Sequence, residues 1–233
     1  MSIDGRRLAR AVVLSVWAGF FIWLRTTGEV TRYLGPRTYW VATFGGVILA
    51  AGALIHLATV RTEHRSSPVR VREGLGMLLL TLPVLAVVMV PSADLGALAA
   101  SRRNAATGIA SVSSIVPDPD TERAVQFLDI HYANQSESYA GAMGIVDGLE
   151  IALTGFVTHP SGLDDGTFAL TRFYVSCCAA DAIPYSVTIG GQTDFPDDQW
   201  LRVTGSLVNE AGRFVLLPSR IARVAEPKNP YLY

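Results

Sequence analysis

"TFALTRFYVSCC", residues 167–178, alternates apolar or aromatic with polar side chains and then places the only two cysteines of the chain side by side. An alternation of period two is the signature of a half-buried strand. The next residues, "AADAIP" (179–184), carry turn chemistry, and "YSVTIGG" (185–191) resumes the alternation. Working outward, "LEIALTGFVTH" (149–159), "QWLRVTGSLV" (199–208) and "RFVLLPSRIARV" (213–224) repeat the pattern, separated by "PSGLDDG", "QTDFPDD" and "NEAG". Such gaps, rich in Gly, Pro, Asp and Asn, are where a chain reverses between strands. Five short strands fit a small OB-like barrel, since a sandwich needs about seven. Gly155 and Gly205 fall inside strands, where the missing side chain permits the bending that closes a barrel. Upstream, "TERAVQFLDIHYA" (121–133) reads as a helix with Thr121 as its cap and Ala124, Phe127, Leu128 and Tyr132 roughly on one face.

The first half of the chain differs in chemistry. To residue 120 it holds 12 Arg against 7 acidic residues, whereas 121–233 holds 7 basic against 13 acidic. Three apolar stretches can be tested against the roughly 20 residues that cross a bilayer. "TYWVATFGGVILAAGALIHLATV" (38–60) is long enough and opens on Tyr39 and Trp40, aromatics that favour the membrane interface. "GLGMLLLTLPVLAVVMV" (74–90) spans if extended to about 92, with a kink expected at Pro83. "AVVLSVWAGFFIWL" (11–24) follows Arg6, Arg7 and Arg10 as a secretory signal would, but no small-residue cleavage site follows it. It reads as a retained anchor over about 8–27, with Arg10 and Arg25 reaching toward headgroups.

The expected architecture is therefore an α+β membrane protein. Residues 1–100 form a membrane domain of three transmembrane helices, 101–120 a linker, and 121–233 a small antiparallel five-stranded OB-like β-barrel domain. The segment from Leu95 to Ala100 either lies at the interface as a short helix or extends the third span, and Pro117 and Pro119 mark the linker that follows. Orientation follows from arginines: with the N-terminus inside, seven Arg (6, 7, 10, 61, 65, 70, 72) lie on the cytoplasmic side against five outside. That arrangement expects a multi-pass protein of the bacterial cytoplasmic membrane with an extracytoplasmic barrel. The bilayer is then one partner. Nucleic acid is not, because an OB-like strand binder needs a basic groove and this half is net acidic.

The cysteine block is where chemistry concentrates. Adjacent strand residues point to opposite faces, so the sulfurs of Cys177 and Cys178 meet only if the strand ends at them. A helical turn starting near Cys178 then brings Asp181, three residues on, to the same side. Two thiolates and a carboxylate are a partial Zn²⁺ shell, one donor short of the usual four. His131 is the histidine geometrically able to complete it. His159 belongs at the other end of its hairpin, His56 lies within the second span, and His64 lies in the loop beyond it. Four readings of the pair stay open: a vicinal disulfide switch, a metal or thiophilic ligand site, buried packing, and linkage to another chain. No cofactor identity follows, although zinc is the transition metal this donor set partly suits. An enzyme is not expected, since no histidine base is evidently near the thiols and C-x-x-C spacing is absent.

The three spans, the exit "LPVLAVVMVPSADL" (82–95), "LTGFV" (153–157), the block "LTRFYVSCCAADAIPYSV" (170–187) and "QWLRVTGSL" (199–207) together resemble the bacterial YcgQ-like family of membrane proteins. Its members have no firmly established activity. The resemblance implies a partner, a YcgR/YraQ-like predicted permease, in a two-component membrane transport system. It carries over onto Arg172, Cys177, Cys178, Asp181, Pro184, Trp200, Val203 and Gly205. Some relatives carry a histidine-rich loop between the second and third spans, whereas "RTEHRSSPVR" (61–70) offers only His64, which points to the exported domain as the working part. Plain structural roles compete for the remaining positions: Trp200 and Val203 in the barrel core or rim, Gly205 for curvature, Pro184 fixing entry to the third strand, and Arg172 pairing with a carboxylate.

Overall fold

A computed structural model describes residues 2–62, 70–89, 95–104, 125–163, 167–191 and 195–233. His64, Thr121, Ala124 and the linker residues 105–120 lie outside the described residues. The chain divides into two units, one of Met1–Ala93 with Cys177–Ala179, the other of Asp94–Ser176 with Ala180–Tyr233.

Three helices in the first unit are long and apolar enough to cross a membrane: α1 (Gly5–Thr27), α2 (Tyr39–Ala58, entered through a 3-10 turn at Pro36–Thr38) and α3 (Val71–Met89). Asp4 caps α1 by accepting the Arg6 and Arg7 amides at 3.0 and 3.4 Å, satisfying donors that have no partner inside the helix. Gly28 ends it at φ +83°, a left-handed conformation that costs glycine nothing. Small residues let α1 and α2 approach: a Cβ on Gly46 would stand 3.3 Å from Phe21, and one on Gly52 3.4 Å from Leu14. Large side chains such as Trp40, Val47 and Leu54 are more than 60 % exposed, which suits hydrocarbon as solvent rather than water. Arg25 lies over the Tyr39 ring, 5.6 Å from its centroid. A two-residue ladder, Ser2–Ile3 with Arg61–Thr62, ties the start of α1 to the end of α2.

In the second unit α4 (Ala97–Asn104) restarts the helix after the non-helical Leu95 and Gly96. It is therefore a separate element rather than an extension of α3, and it runs four residues into the stretch read as linker. Its first amide donates to Asp198 Oδ1 at 2.5 Å, and Arg103 donates to the Ala182 carbonyl at 2.6 Å. The segment read as one long helix from residue 121 is described from Val125 as α5 (Phe127–Ala133), followed by α6 (Glu137–Ala142). Asp129 explains the start of α5: one carboxylate oxygen accepts the Gln126 amide at 2.9 Å and the other accepts the Tyr139 hydroxyl at 3.0 Å. This capping box lets an aspartate that is 0 % exposed sit in the core.

The barrel strands are β1 (Glu150–Thr158), β2 (Phe168–Tyr174), β3 (Ile183–Ile189), β4 (Trp200–Glu210) and β5 (Arg213–Arg223). They close in the order β1-β2-β3-β5-β4. Every neighbouring pair is antiparallel except β3 with β5, the arrangement of an OB-like barrel. Alternate residues fill the interior, including Leu153, Leu170, Val187, Leu201, Val203, Leu207 and Leu216, each no more than 3 % exposed. Both strand glycines sit at close approaches. A Cβ on Gly155 would meet the Thr171 carbonyl at 2.6 Å, and Gly205 stands at the register shift where β4 passes β5. One hydrogen-bonded row crosses the interior edge: Thr158 and Thr171 hydroxyls at 2.7 Å, then Thr171 and Ser186 at 2.8 Å.

A candidate metal loop

Strand β2 ends at Tyr174, paired with Ile183, three residues before the cysteines. The expectation that Cys177 and Cys178 terminate the strand is corrected, for a physical reason. The Val175 amide donates to the Leu232 carbonyl at 3.0 Å, and the Ser176 amide donates to Asp181 Oδ1 at 3.1 Å. Those donors are thereby withdrawn from the β2–β3 ladder. The chain then makes a 3-10 turn at Ala179–Asp181 before Ile183 opens β3.

That turn gathers three donors. No disulfide joins the cysteines, and their sulfurs stand 3.7 Å apart. Ligand atoms of Cys177, Cys178 and Asp181 all lie within 4.8 Å of one another. Cys177 is exposed, whereas Cys178 and Asp181 are half-buried. The cysteine backbone is fixed from within its own unit. The Cys177 carbonyl accepts the Thr38 hydroxyl at 2.6 Å and the Gly35 amide at 3.0 Å, and the Ala179 amide donates to the Tyr33 carbonyl at 2.9 Å. Leu34 and Cys178 form an antiparallel bridge. Nothing in "YLGPRT" (33–38) announces this role, because a backbone clamp leaves no mark on side-chain chemistry.

His131 is not part of the cluster. It lies on α5 with its ring edge-on to Tyr185 at 4.9 Å and its Nε2 2.7 Å from Gln135 Nε2. Burial pulls its pKa below the usual value, and the same burial, with the Tyr132 and Tyr174 phenols, pushes Tyr185 up to about 12. A folded histidine that holds its proton less tightly than the unfolded chain favours folding above the unfolded pKa of about 6.5 and loses that advantage as pH falls below it. Thermal midpoints of the full-length protein are expected to decline between pH 6.5 and about pH 5. In His131→Phe, which keeps a ring against Tyr185 without a titrating nitrogen, that slope should flatten. An unchanged slope would assign the acid sensitivity to other groups.

His159 Nδ1 lies 2.9 Å from Asp197 Oδ1, and the two line a cavity of about 310 Å³ beneath α4 with Thr158, Ser101 and Asp198. His56 lies within α2. Arg172 differs from expectation. Among the described residues its guanidinium meets no carboxylate but donates to the carbonyls of Asn229 (2.6 Å), Pro230 (3.1 Å) and Thr154 (3.5 Å), and stacks over Trp200 at 5.9 Å. Burial draws its pKa down, with an opposing pull from Tyr233. Trp200 is half-buried against Phe156, Val203 is fully buried, and Pro184 pairs with Phe173 as the second residue of β3.

Residues 9–105 match the DUF1980 N-terminal domain, and residues 107–233 match the DUF1980 C-terminal domain. The chain belongs to the DUF1980 family. A relative of this DUF1980 protein from Streptococcus mutans serotype c (strain ATCC 700610 / UA159) is 22 % identical over 264 aligned positions, covering 94 % of this chain and 97 % of the relative. That relative carries the name of a two-component membrane permease complex subunit. Three apolar helices and a barrel of this kind make the DUF1980 chain a membrane protein with a folded β domain.

Proposed function

We propose that this chain is the accessory subunit of a permease-type transport system, working by binding rather than by catalysis. Its N-terminus is cytoplasmic, its barrel extracytoplasmic, and its partner a YcgR/YraQ-like permease. The Cys177–Cys178–Asp181 loop binds a thiophilic divalent cation such as Zn²⁺. The observation that carries this reading is the convergence of two reduced thiols and a carboxylate within 4.8 Å. The S. mutans relative's name supports the permease partner, and the surplus of arginine in the segments assigned to the cytoplasm supports the orientation.

Two measurements test it. Because both cysteines of the chain lie in this loop, a membrane-impermeant maleimide applied to intact spheroplasts is expected to label the wild type at exposed Cys177. Labelling only after lysis would reverse the topology. Zinc retained by the purified full-length protein should fall more than about 100-fold in affinity in Cys177→Ser, since loss of outer-shell support alone costs 10–100-fold. Wild-type protein without measurable zinc affinity would remove the metal reading, and failure of a tagged chain to co-purify a permease would remove the partner.

A further inference from the structure

We propose that the groove between α1 and α2 binds one anionic phospholipid, with an acyl chain along its apolar length and the headgroup phosphate on Arg25. The site lies wholly within the first unit and is independent of the metal reading above.

Three observations carry it. The groove has a volume of about 280 Å³ and apolar walls, Phe21 and Ile22 from α1 and Gly46, Val47 and Ala50 from α2. Ile22 and Val47 line it while remaining 57 % and 62 % exposed, so it opens outward, toward hydrocarbon. From Ala42 to Ala50 it follows α2 for roughly 12 Å, a length that takes a segment of an acyl chain. Its charged lining residue is Arg25, in the last turn of α1, at the end of the span where Trp23 and Trp40 mark the headgroup level.

Arg25 is held ready for an anion. The Tyr39 ring steadies its guanidinium at 5.6 Å, and Glu29, the acidic residue next along the chain, is taken by Arg32 at 3.0 Å. Among the described residues Arg25 meets no carboxylate. A guanidinium fork matches phosphate oxygens, and basic pockets between spans are where anionic headgroups bind. An apolar helix laid in the groove would instead cover Arg25 without pairing it, an unfavourable arrangement in hydrocarbon. A phospholipid fills the apolar length and neutralises the charge with one molecule.

Full-length protein in dodecyl maltoside micelles is mixed with palmitoyl-oleoyl phosphatidylglycerol or the matching phosphatidylcholine, and bound lipid is counted by native mass spectrometry. The expected result is one phosphatidylglycerol per chain, held at least about fivefold more tightly than phosphatidylcholine, the factor one arginine contributes near an anionic headgroup. Arg25→Gln should bring the two lipids level while leaving phosphatidylcholine retention unchanged. Thr43→Phe, at an exposed lining position, plugs the groove and should reduce retention of both, with its melting transition checked against the wild type. Equal retention of the two lipids by the wild type, or a phosphatidylglycerol preference that persists in Arg25→Gln, would overturn the proposal. A Thr43→Phe protein that keeps its lipid would overturn it too, and if that protein also lost a co-purifying membrane protein, the groove would belong to a partner's helix.

Discussion

Gly205→Ala is expected to prevent the barrel from closing. An added Cβ would run into the Leu217 carbonyl oxygen and stand 2.8 Å from both the Leu217 carbonyl carbon and Pro218 Cα. All three are backbone atoms at the register shift between β4 and β5, so no side-chain rotation relieves the clash. Overpacking costs typically 1–3 kcal/mol where side chains can give way. Here the backbone itself must move, and a loss above about 3 kcal/mol is expected, a large share of a domain's whole stability. Thermal melting and soluble yield of the full-length protein read this directly. Gly141→Ala is the control: that glycine lies within α6 with nothing within 4 Å of the new Cβ, and gains about 0.5–1 kcal/mol from helix propensity. A Gly205→Ala protein melting like the control would show that β4 and β5 separate there at little cost.

Removal of Asn229–Tyr233 is expected to have the second largest effect. Leu232 adds to the end of β2, accepting from the Val175 amide at 3.0 Å and donating to the Phe173 carbonyl at 2.7 Å. Tyr231 and Leu232 are 5 % and 8 % exposed, and burying two such side chains is worth roughly 3–6 kcal/mol. Truncation also strips Arg172 of the Asn229 and Pro230 carbonyls, leaving half-buried donors unmet at about 1–3 kcal/mol. Together these predict a melting midpoint lowered by more than about 10 °C. The Cys177–Cys178–Asp181 loop should respond as well, because Val175, held by Leu232, stands two residues before Cys177. Truncated protein within about 2 °C of the full chain would mean that the segment only rests on the barrel.

The strands are legible in the sequence wherever one face is buried. "LEIALTGFVTH" and "QWLRVTGSLV" alternate because Leu153, Leu201 and Val203 point inward while Glu150 and Arg202 face water. The three spans are legible because hydrocarbon demands a run of apolar side chains that nothing else in the chain imitates. Positions decided by backbone hydrogen bonds are not legible. The end of β2 at Tyr174 depends on Leu232, more than fifty residues away, and Asp129 reads as an ordinary acidic residue until Gln126 and Tyr139 are seen to share it. Arg172 invites a carboxylate partner because charge pairs with charge in the simplest account, yet carbonyl oxygens of a buried segment satisfy a guanidinium fork equally well. For the cysteine loop, "CCAAD" supplies the three donors and their reach across one turn. It says nothing of Tyr33, Gly35 and Thr38, which hold the cysteine backbone in place.

Among the described residues, β3 meets β5 at a single register pair, Ile189 with Leu216, reinforced by the Gly190 amide donating to the Leu216 carbonyl at 3.0 Å. Four of the five joins in this ring are antiparallel runs of three pairs or more. The fifth works as a clasp. Once it slips, the ring becomes a ribbon with β3 and β5 as its two borders. The longer border is β5, eleven residues from Arg213 to Arg223, and such a border recruits strands from other chains. Arg213, Arg220 and Arg223 are spaced along it and exposed, and charge on an exposed border is how β proteins discourage that recruitment. The weakest join of the barrel is thus flanked by the strand whose charges best guard it should that join open.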